Sequence, residues 1–267
     1  MIQLKSQSDL DKMRVAGRHV AEILLLLRDR VRPGIKTGDI NELAMREIRN
    51  RGLESSFLGY GPRGAPPYPG VICTSLNEEI VHGIPGDREV CEGDLLKLDF
   101  GVIYEGFHGD SAVALTVGSQ GENQPGATGD DPELRKLCDV TRDALYAGIE
   151  QLRPGNRLGD VSHAVQTAAE AGGYSVVRDF VGHGIGRKLH EEPQLPNYGK
   201  AGRGPRLRAG MVVAVEPMVN VGRPDVKMGD DGWTALTADG LISCHFEHTI
   251  AITESGPEIL TRVDGSH

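Results

Sequence analysis

The segment Arg32-Pro33-Gly34-Ile35-Lys36-Thr37-Gly38-Asp39 returns in outline as Arg153-Pro154-Gly155-Asn156-Arg157-Leu158-Gly159-Asp160, an offset of 121 residues (153 minus 32). Both copies read R-P-G-x-x-x-G-D. Apolar residues at spacings of three and four precede each copy and follow it, which is the period of an amphipathic helix. The sequence therefore predicts two half-repeats, over about residues 8–117 and 131–260, that each begin with two helices.

Start signals support two of these helices. Ser8 with Asp11 three residues later is typical of a helix start, and Asp131-Pro132-Glu133 combines a cap residue, a first-turn proline and an acid. The segment 118–131 is rich in Gly, Asp, Gln and Pro, so we expect a linker there. We expect the whole chain, 1–267, to be one domain.

Composition excludes several classes of protein. The chain has 38 acidic and 29 basic residues, a net charge of -9, which argues against electrostatic binding of nucleic acid or anionic membranes. The longest apolar run, Ile23–Leu27, is too short to span a membrane. Four cysteines occur without a C-x-x-C motif, which favours a reducing compartment. We expect a cytoplasmic protein with no membrane or direct nucleic-acid function.

Strand patterns extend the repeat and place carboxylates in it. Asp99 and Glu216, offset by 117 residues (216 minus 99), each end an apolar stretch, and Asp110 and Glu247 each begin the next one. Each half thus reads helix, helix, strand, strand. This order predicts an α+β fold with pseudo-two-fold symmetry, in which helices cover an antiparallel sheet.

Carboxylates in apolar strands need an explanation, because Asp and Glu are depleted from strands and a buried charge needs a partner. A single strand-end acid is equally well explained as a cap of a neighbouring amide or as a side chain that faces water. Here, however, Asp99 and Asp110 flank a turn predicted at 104–106, so we expect them opposite each other with Cβ atoms about 5 Å apart. Lys97 is the only base in these strands. One or two divalent cations would neutralise the acids.

Two histidines lie in similar glycine-containing motifs. His183 occurs in Val181-Gly182-His183-Gly184-Ile185-Gly186 and His82 in His82-Gly83-Ile84-Pro85. Either residue alone is explained as a buried structural histidine, but four acids favour His183 as a metal ligand. Oxygen-rich ligation with one imidazole suits Mn(II), Fe(II) or Co(II), and Zn(II) also fits.

With these residues in view, the sequence resembles the type I methionine aminopeptidases of peptidase family M24, which have the pita-bread fold. The short spacing from His183 to Glu216 is similar to type I rather than type II enzymes. The stretches that carry the resemblance are Ser75–Pro85, Gly182–Gly186, His190–Pro193, Glu216–Asn220, Asp231–Thr234 and Phe246–Thr249.

The resemblance implies a centre for two divalent ions. Asp110 and Glu247 would bridge the ions, Asp99 would complete one site, and His183 with Glu216 would complete the other. Glu216 would also be the general base. A metal-activated water would then attack the scissile carbonyl.

The same resemblance implies residues that bind the substrate. His82 and His190 would donate hydrogen bonds to the substrate amide and to the tetrahedral intermediate. Tyr68, Cys73 and Trp233 would surround the methionine side chain. For Cys73, ordinary core packing is almost as good an explanation.

The sequence also departs from the family pattern and leaves alternatives open. Leu189 stands where Phe is common, and the loop Gly59–Pro67 is longer and richer in proline. The expected substrate is the N-terminal methionine of nascent chains with a small second residue, the expected state is a monomer, and the ribosome is a candidate partner. An Xaa-Pro aminopeptidase or prolidase, and a binding homologue without catalysis, are the alternatives.

Overall fold

The computed structural model describes residues 2–61, 66–118 and 131–263. Most of the predicted linker, 118–131, and part of the loop 59–67 lie outside these residues. In the described part, no helix is long and apolar enough to cross a membrane. The elements of the first half are α1 Gln7–Arg28, α2 Thr37–Asn50, β1 Glu54–Ser55, β2 Ile72–Leu76, β3 Glu79–Val81, β4 Leu95–Tyr104 and β5 Phe107–Thr116.

The second half also begins with two helices, as predicted, and then has more strands than expected. Its elements are α3 Pro132–Glu150, α4 Leu158–Ala171, β6 Ser175–Val176, β7 Gly182–Gly184, β8 Glu191–Leu195, β9 Val212–Val215, β10 Met218–Asn220, β11 Val226–Met228, β12 Ala235–Thr237, β13 Ser243–His245, β14 His248–Thr253 and β15 Gly256–Ile259. The additional strands are short, so they carry little periodic signal.

The first helix begins two residues earlier than predicted. Ser6 is extended and caps α1, because its Oγ accepts the Asp9 N–H at 3.2 Å and Asp9 accepts the Ser6 N–H at 3.0 Å. Ser8 and Asp11 have the same spacing but lie inside the helix, so the predicted cap was wrong. The predicted start of α3 is confirmed, since Asp131 accepts the N–H groups of the first turn and Pro132 follows it.

The two R-P-G-x-x-x-G-D segments form the same local structure. The first glycine of each has a positive φ, 85° at Gly34 and 98° at Gly155, a region that glycine enters without strain. The final aspartate accepts a hydrogen bond from the backbone N–H three residues earlier, at 3.2 Å for Asp39 and 2.7 Å for Asp160. The sequence repeat is therefore a repeated turn and helix start.

Antiparallel sheets follow the helices in both halves. In the first half, β4 pairs with β1, β2 and β5, and in the second the order is β15-β14-β9-β7-β8. Three-stranded sheets β13-β10-β6 and β11-β12-β3 complete the fold. An isolated bridge between Ala112 and Glu247 joins β5 to the residue before β14. The two halves therefore meet along these strands.

Alternation along β4 separates a core face from a face that looks toward the other half. Leu96, Leu98 and Phe100 are fully buried in a core with α1 and α2. Leu95 belongs instead to the core that α3 and α4 build in the second half. Because strand side chains alternate, Asp99 lies on the same face as Leu95. The pleat thus aims this carboxylate at the junction of the halves.

Candidate active site

Two predicted ligands come from the β4–β5 hairpin, whose turn is at Glu105 and Gly106 with φ of 46° and 77°. The turn is where the sequence predicted it. The expected direct pairing was wrong, because Asp99 pairs with Ala112 and Asp110 pairs with Gly101. The two carboxylates therefore lie diagonally on one face, where residues are about 7–8 Å apart in general and their Cβ atoms somewhat closer.

The other three predicted ligands come from adjacent strands of the second half. His183 in β7 pairs with Ala214 in β9, and Glu216 follows the end of β9. Glu247 precedes β14, whose first residue pairs with the last residue of β9. The structure thus places Glu216 and Glu247 at one end of neighbouring strands, facing the hairpin of the first half.

Three of these side chains converge on one point, and Asp99 and Glu216 line the same cleft. Ligand atoms of Asp110, His183 and Glu247 all lie within 4.8 Å of one another. The His183 Nε2 atom is 3.5 Å from Glu216 Oε1. On the other side of the ring, Nδ1 is 2.9 Å from the Gly184 carbonyl, which can only accept, so Nδ1 carries the proton. The Nε2 lone pair therefore faces the carboxylates, as a metal ligand requires.

The electrostatics of the acids indicate missing positive charge. Burial raises the pKa of Asp99 to about 7. Burial and neighbouring carboxylates also raise the pKa values of Asp110, Glu216 and Glu247. Asp99 Oδ1, Asp110 Oδ1 and Glu247 Oε1 are buried without a hydrogen-bond partner among the described residues. Unpartnered, converging carboxylate oxygens with one imidazole are the donor set that divalent cations take, so the residues fit a metal centre.

The structure brings both predicted histidines to the same cleft. His82 has a left-handed backbone, with φ 64°, and its ring lies edge-on to Trp233 at 6.2 Å. The His190 ring is 4.2 Å from the His183 ring, centre to centre. Burial lowers the pKa of His82 to about 4 and also lowers the pKa of His190. Both are therefore neutral at pH 7, and each has one N–H to donate.

Tyr68, Cys73 and Trp233 also line this cleft. Cys73 in β2 pairs with Asp99, so the thiol lies beside the carboxylates. Tyr68 is fixed because its hydroxyl donates to the Gly83 carbonyl at 2.9 Å. The Trp233 ring is edge-on to Tyr68 at 5.3 Å, and its indole N–H donates to the Pro66 carbonyl at 3.0 Å. The rings form a rigid apolar wall.

Sequence reasoning missed two lining residues, Phe57 and Tyr60. Tyr60 Oη is 2.6 Å from His190 Nδ1, so it contacts the cleft directly. A signal was available, because the chain has only 12 aromatic residues, namely one Trp, six Tyr and five Phe. Leu189, which departs from the family pattern, is buried in the same wall.

Comparison with known proteins agrees with this geometry. A family model described as metallopeptidase family M24 matches residues 11–254. A methionine aminopeptidase of Clostridium perfringens is 47% identical over 98% of this chain and 100% of its own length. The chain belongs to the methionine aminopeptidases of this family. Methionine aminopeptidase 1 of Bacillus subtilis is likewise 47% identical, over 98% of this chain and 100% of its own length.

Solved structures define the fold of this methionine aminopeptidase family member. It matches the enzyme of Rickettsia prowazekii with a TM-score of 0.91 at 40% identity, covering 98% of this chain and 100% of that one. This similarity confirms the pita-bread fold. The family model, together with the group Asp110, His183 and Glu247, identifies a metallopeptidase that uses divalent ions. A prolidase of Pyrococcus horikoshii shares only the fold, with a TM-score of 0.75 at 18% identity over 64% of its length.

Proposed function

We propose that this protein removes the N-terminal methionine from peptides and nascent chains with a small second residue, using two divalent ions. The observation that carries the proposal is the buried convergence of Asp110, His183 and Glu247 beside an aromatic cleft. Full-length similarity to methionine aminopeptidases supports the same choice of substrate. The distant prolidase likeness favours that alternative much less.

In this proposal all five predicted ligands hold the ions. Asp99, Asp110, His183, Glu216 and Glu247 would provide the carboxylate and imidazole ligands. Two divalent ions supply acidification of water and polarisation of the scissile carbonyl. The unpartnered oxygens described above are the groups that would satisfy this role.

Glu216 is the proposed general base. Its carboxylate lines the cleft 3.5 Å from the His183 imidazole, and a carboxylate so placed can accept the proton of an attacking water. It would accept a proton from the attacking water and return it to the leaving amine.

His82 and His190 would stabilise the charge that develops on the substrate. Because both rings are neutral, a proton on one nitrogen leaves the other as an acceptor. The Tyr60 hydroxyl lies 2.6 Å from His190 Nδ1. If the phenol donates to Nδ1, the Nε2–H of His190 is free to donate to the substrate, so Tyr60 would set the tautomer.

Trp233, Tyr68 and Cys73 would hold the methionine side chain. Aromatic ring edges and sulfur both make favourable contacts with a thioether. The wall is fixed by the hydrogen bonds of Tyr68 and Trp233 to backbone carbonyls. A preformed pocket of this kind lowers the entropy lost when substrate binds.

The proposed setting is the cytoplasm, where the protein would act as a monomer on chains that leave the ribosome. All four cysteines are free and three of them are buried, which is consistent with a reducing compartment. The ribosome enters the proposal as the source of nascent chains.

The test is release of free methionine from Met-Ala-Ser by protein loaded with Mn(II) or Co(II). A chelated sample and an Ala-Pro-Ser substrate are run in parallel. Metal-dependent release from Met-Ala-Ser alone supports the proposal. Cleavage of Ala-Pro-Ser alone identifies an Xaa-Pro aminopeptidase of the prolidase type, and metal binding without cleavage of either peptide identifies a binding homologue.

A further inference from the structure

Lys97 is a lysine enclosed in the interior of the protein. Its exposed fraction is 1%, and it is among the largest fully buried side chains. The Nζ atom donates to two backbone carbonyls, of Asn77 at 2.8 Å and of Ser243 at 2.9 Å. No carboxylate in the described part of the chain forms an ion pair with it.

The two acceptors come from different halves of the fold. Asn77 lies in the turn between β2 and β3 of the first half, and Ser243 begins β13 of the second half. The Ser243 N–H also donates to the Asn77 carbonyl, at 3.1 Å. The Asn77 side chain is itself held, because its Oδ1 accepts the Leu95 N–H at 2.9 Å. The ammonium thus links the two halves of the fold through its hydrogen bonds to Asn77 and Ser243, which we call the Lys97 tie.

This tie lies next to the proposed metal ligands. Lys97 precedes Asp99 by two residues on β4, so both side chains are on one face of the strand. On the other side, Ser243 precedes Glu247 by four residues, and β13 ends only two residues before it. The ammonium therefore links the strand that carries Asp99 to the segment that leads to Glu247.

A space-filling role alone does not explain this lysine. An ammonium buried without a carboxylate loses its hydration, and the two carbonyl contacts offset only part of that loss. A methionine or leucine would fill the same space without a charge. An apolar side chain has no hydrogen-bond donor, so it cannot hold two carbonyl groups from separate segments at one point.

We propose that Lys97 is a positioning residue of the metal centre, whose ammonium ties Asn77 to Ser243 and so sets the separation of Asp99 and Glu247. The inference rests on the proposed ligand set. Residues that orient metal ligands typically change metal affinity by about 10–100-fold when they are replaced.

The test compares Lys97→Met, which has a similar length and no donor, with wild type and with Ile23→Ala. Ile23 is fully buried in the α1 core, away from the cleft, so its replacement lowers stability without touching the tie. Mn(II) is titrated into each metal-stripped protein by calorimetry, and urea unfolding is followed in parallel. We expect Lys97→Met to weaken Mn(II) binding by about tenfold. Ile23→Ala should keep wild-type affinity.

Kinetics on Met-Ala-Ser give a second readout, in which Lys97→Met lowers kcat and leaves KM within about twofold, since the substrate pocket is not altered. If the Lys97→Met protein is less stable but binds Mn(II) as tightly as wild type, the inference is overturned, because the role of Lys97 is then only structural. Wild type that binds no Mn(II) overturns the ligand set and the inference together. If Lys97→Met does not fold, Lys97→Gln, a shorter neutral donor, is judged by the same comparison.

Discussion

Replacement of Asp99 by asparagine should stabilise the metal-free protein while it weakens metal binding. Burial raises the pKa of Asp99 from 3.8 to about 7. Between these values the folded protein keeps a proton that the unfolded chain has lost, so the metal-free protein loses stability as pH rises through this window. Below about pH 4 both states are protonated, and the loss is absent. Asparagine does not ionise, so the variant escapes it.

The size of the effect follows from the same shift. A rise of about 3 pKa units at about 1.4 kcal/mol per unit gives about 4 kcal/mol as an upper bound. The buried acids are coupled, so when Asp99 is replaced, Asp110 or Glu247 can ionise in its place. That ionisation would cost part of the stability gained. We therefore expect a gain of about 2 kcal/mol above pH 7, and almost none near pH 4.

Urea unfolding of the metal-stripped proteins at both pH values measures this gain. Asp87→Asn is the matched control, because the Asp87 side chain is 99% exposed. Added Mn(II) at 100 times its Kd should stabilise wild type by about 2.7 kcal/mol and the Asp99→Asn protein much less. A metal-free Asp99→Asn protein that is less stable than wild type above pH 7 would refute the electrostatic reasoning.

Three further substitutions test the roles proposed for the cleft, each by steady-state kinetics on Met-Ala-Ser. Glu216→Gln removes the base, so kcat should fall at least about 100-fold; a smaller loss assigns proton transfer elsewhere. Tyr60→Phe removes one hydrogen bond to His190, so kcat should fall roughly fivefold, and no change would exclude the tautomer role. Trp233→Ala removes the proposed contact with the methionine thioether, worth about 1 kcal/mol, so KM should rise roughly fivefold with a smaller change in kcat; an unchanged KM would remove Trp233 from the pocket.

The repeat was the part of the fold that the sequence predicted best. The copies of R-P-G-x-x-x-G-D form equivalent turns because their glycines and aspartates have backbone roles that depend on little else. Helix boundaries were less certain, since Ser6 with Asp9 and Ser8 with Asp11 have the same spacing. Only the geometry around Ser6 decides between them.

The ligands could be predicted because acids in apolar strands are costly, and this cost is visible in one sequence. Their relative register could not. Asp99 and Asp110 are diagonal because the two-residue turn at Glu105 and Gly106 fixes the pairing, which hydrophobic pattern alone leaves open. Tyr60 was missed for another reason, since an exposed aromatic residue in a loop has no period to mark it and only the scarcity of aromatic residues points to it.

The metal ligands and the junction of the halves depend on the same contacts. Glu247 exchanges backbone hydrogen bonds with Ala112, at 3.0 and 3.3 Å, and Thr249 Oγ1 donates to the Asp110 carbonyl at 2.7 Å. Asp99 and Asp110 come from one half and His183, Glu216 and Glu247 from the other. Neither half alone can therefore hold the full set of ligands. We therefore expect changes at this junction, including loss of the Lys97 hydrogen bonds, to alter the separation of the ligands.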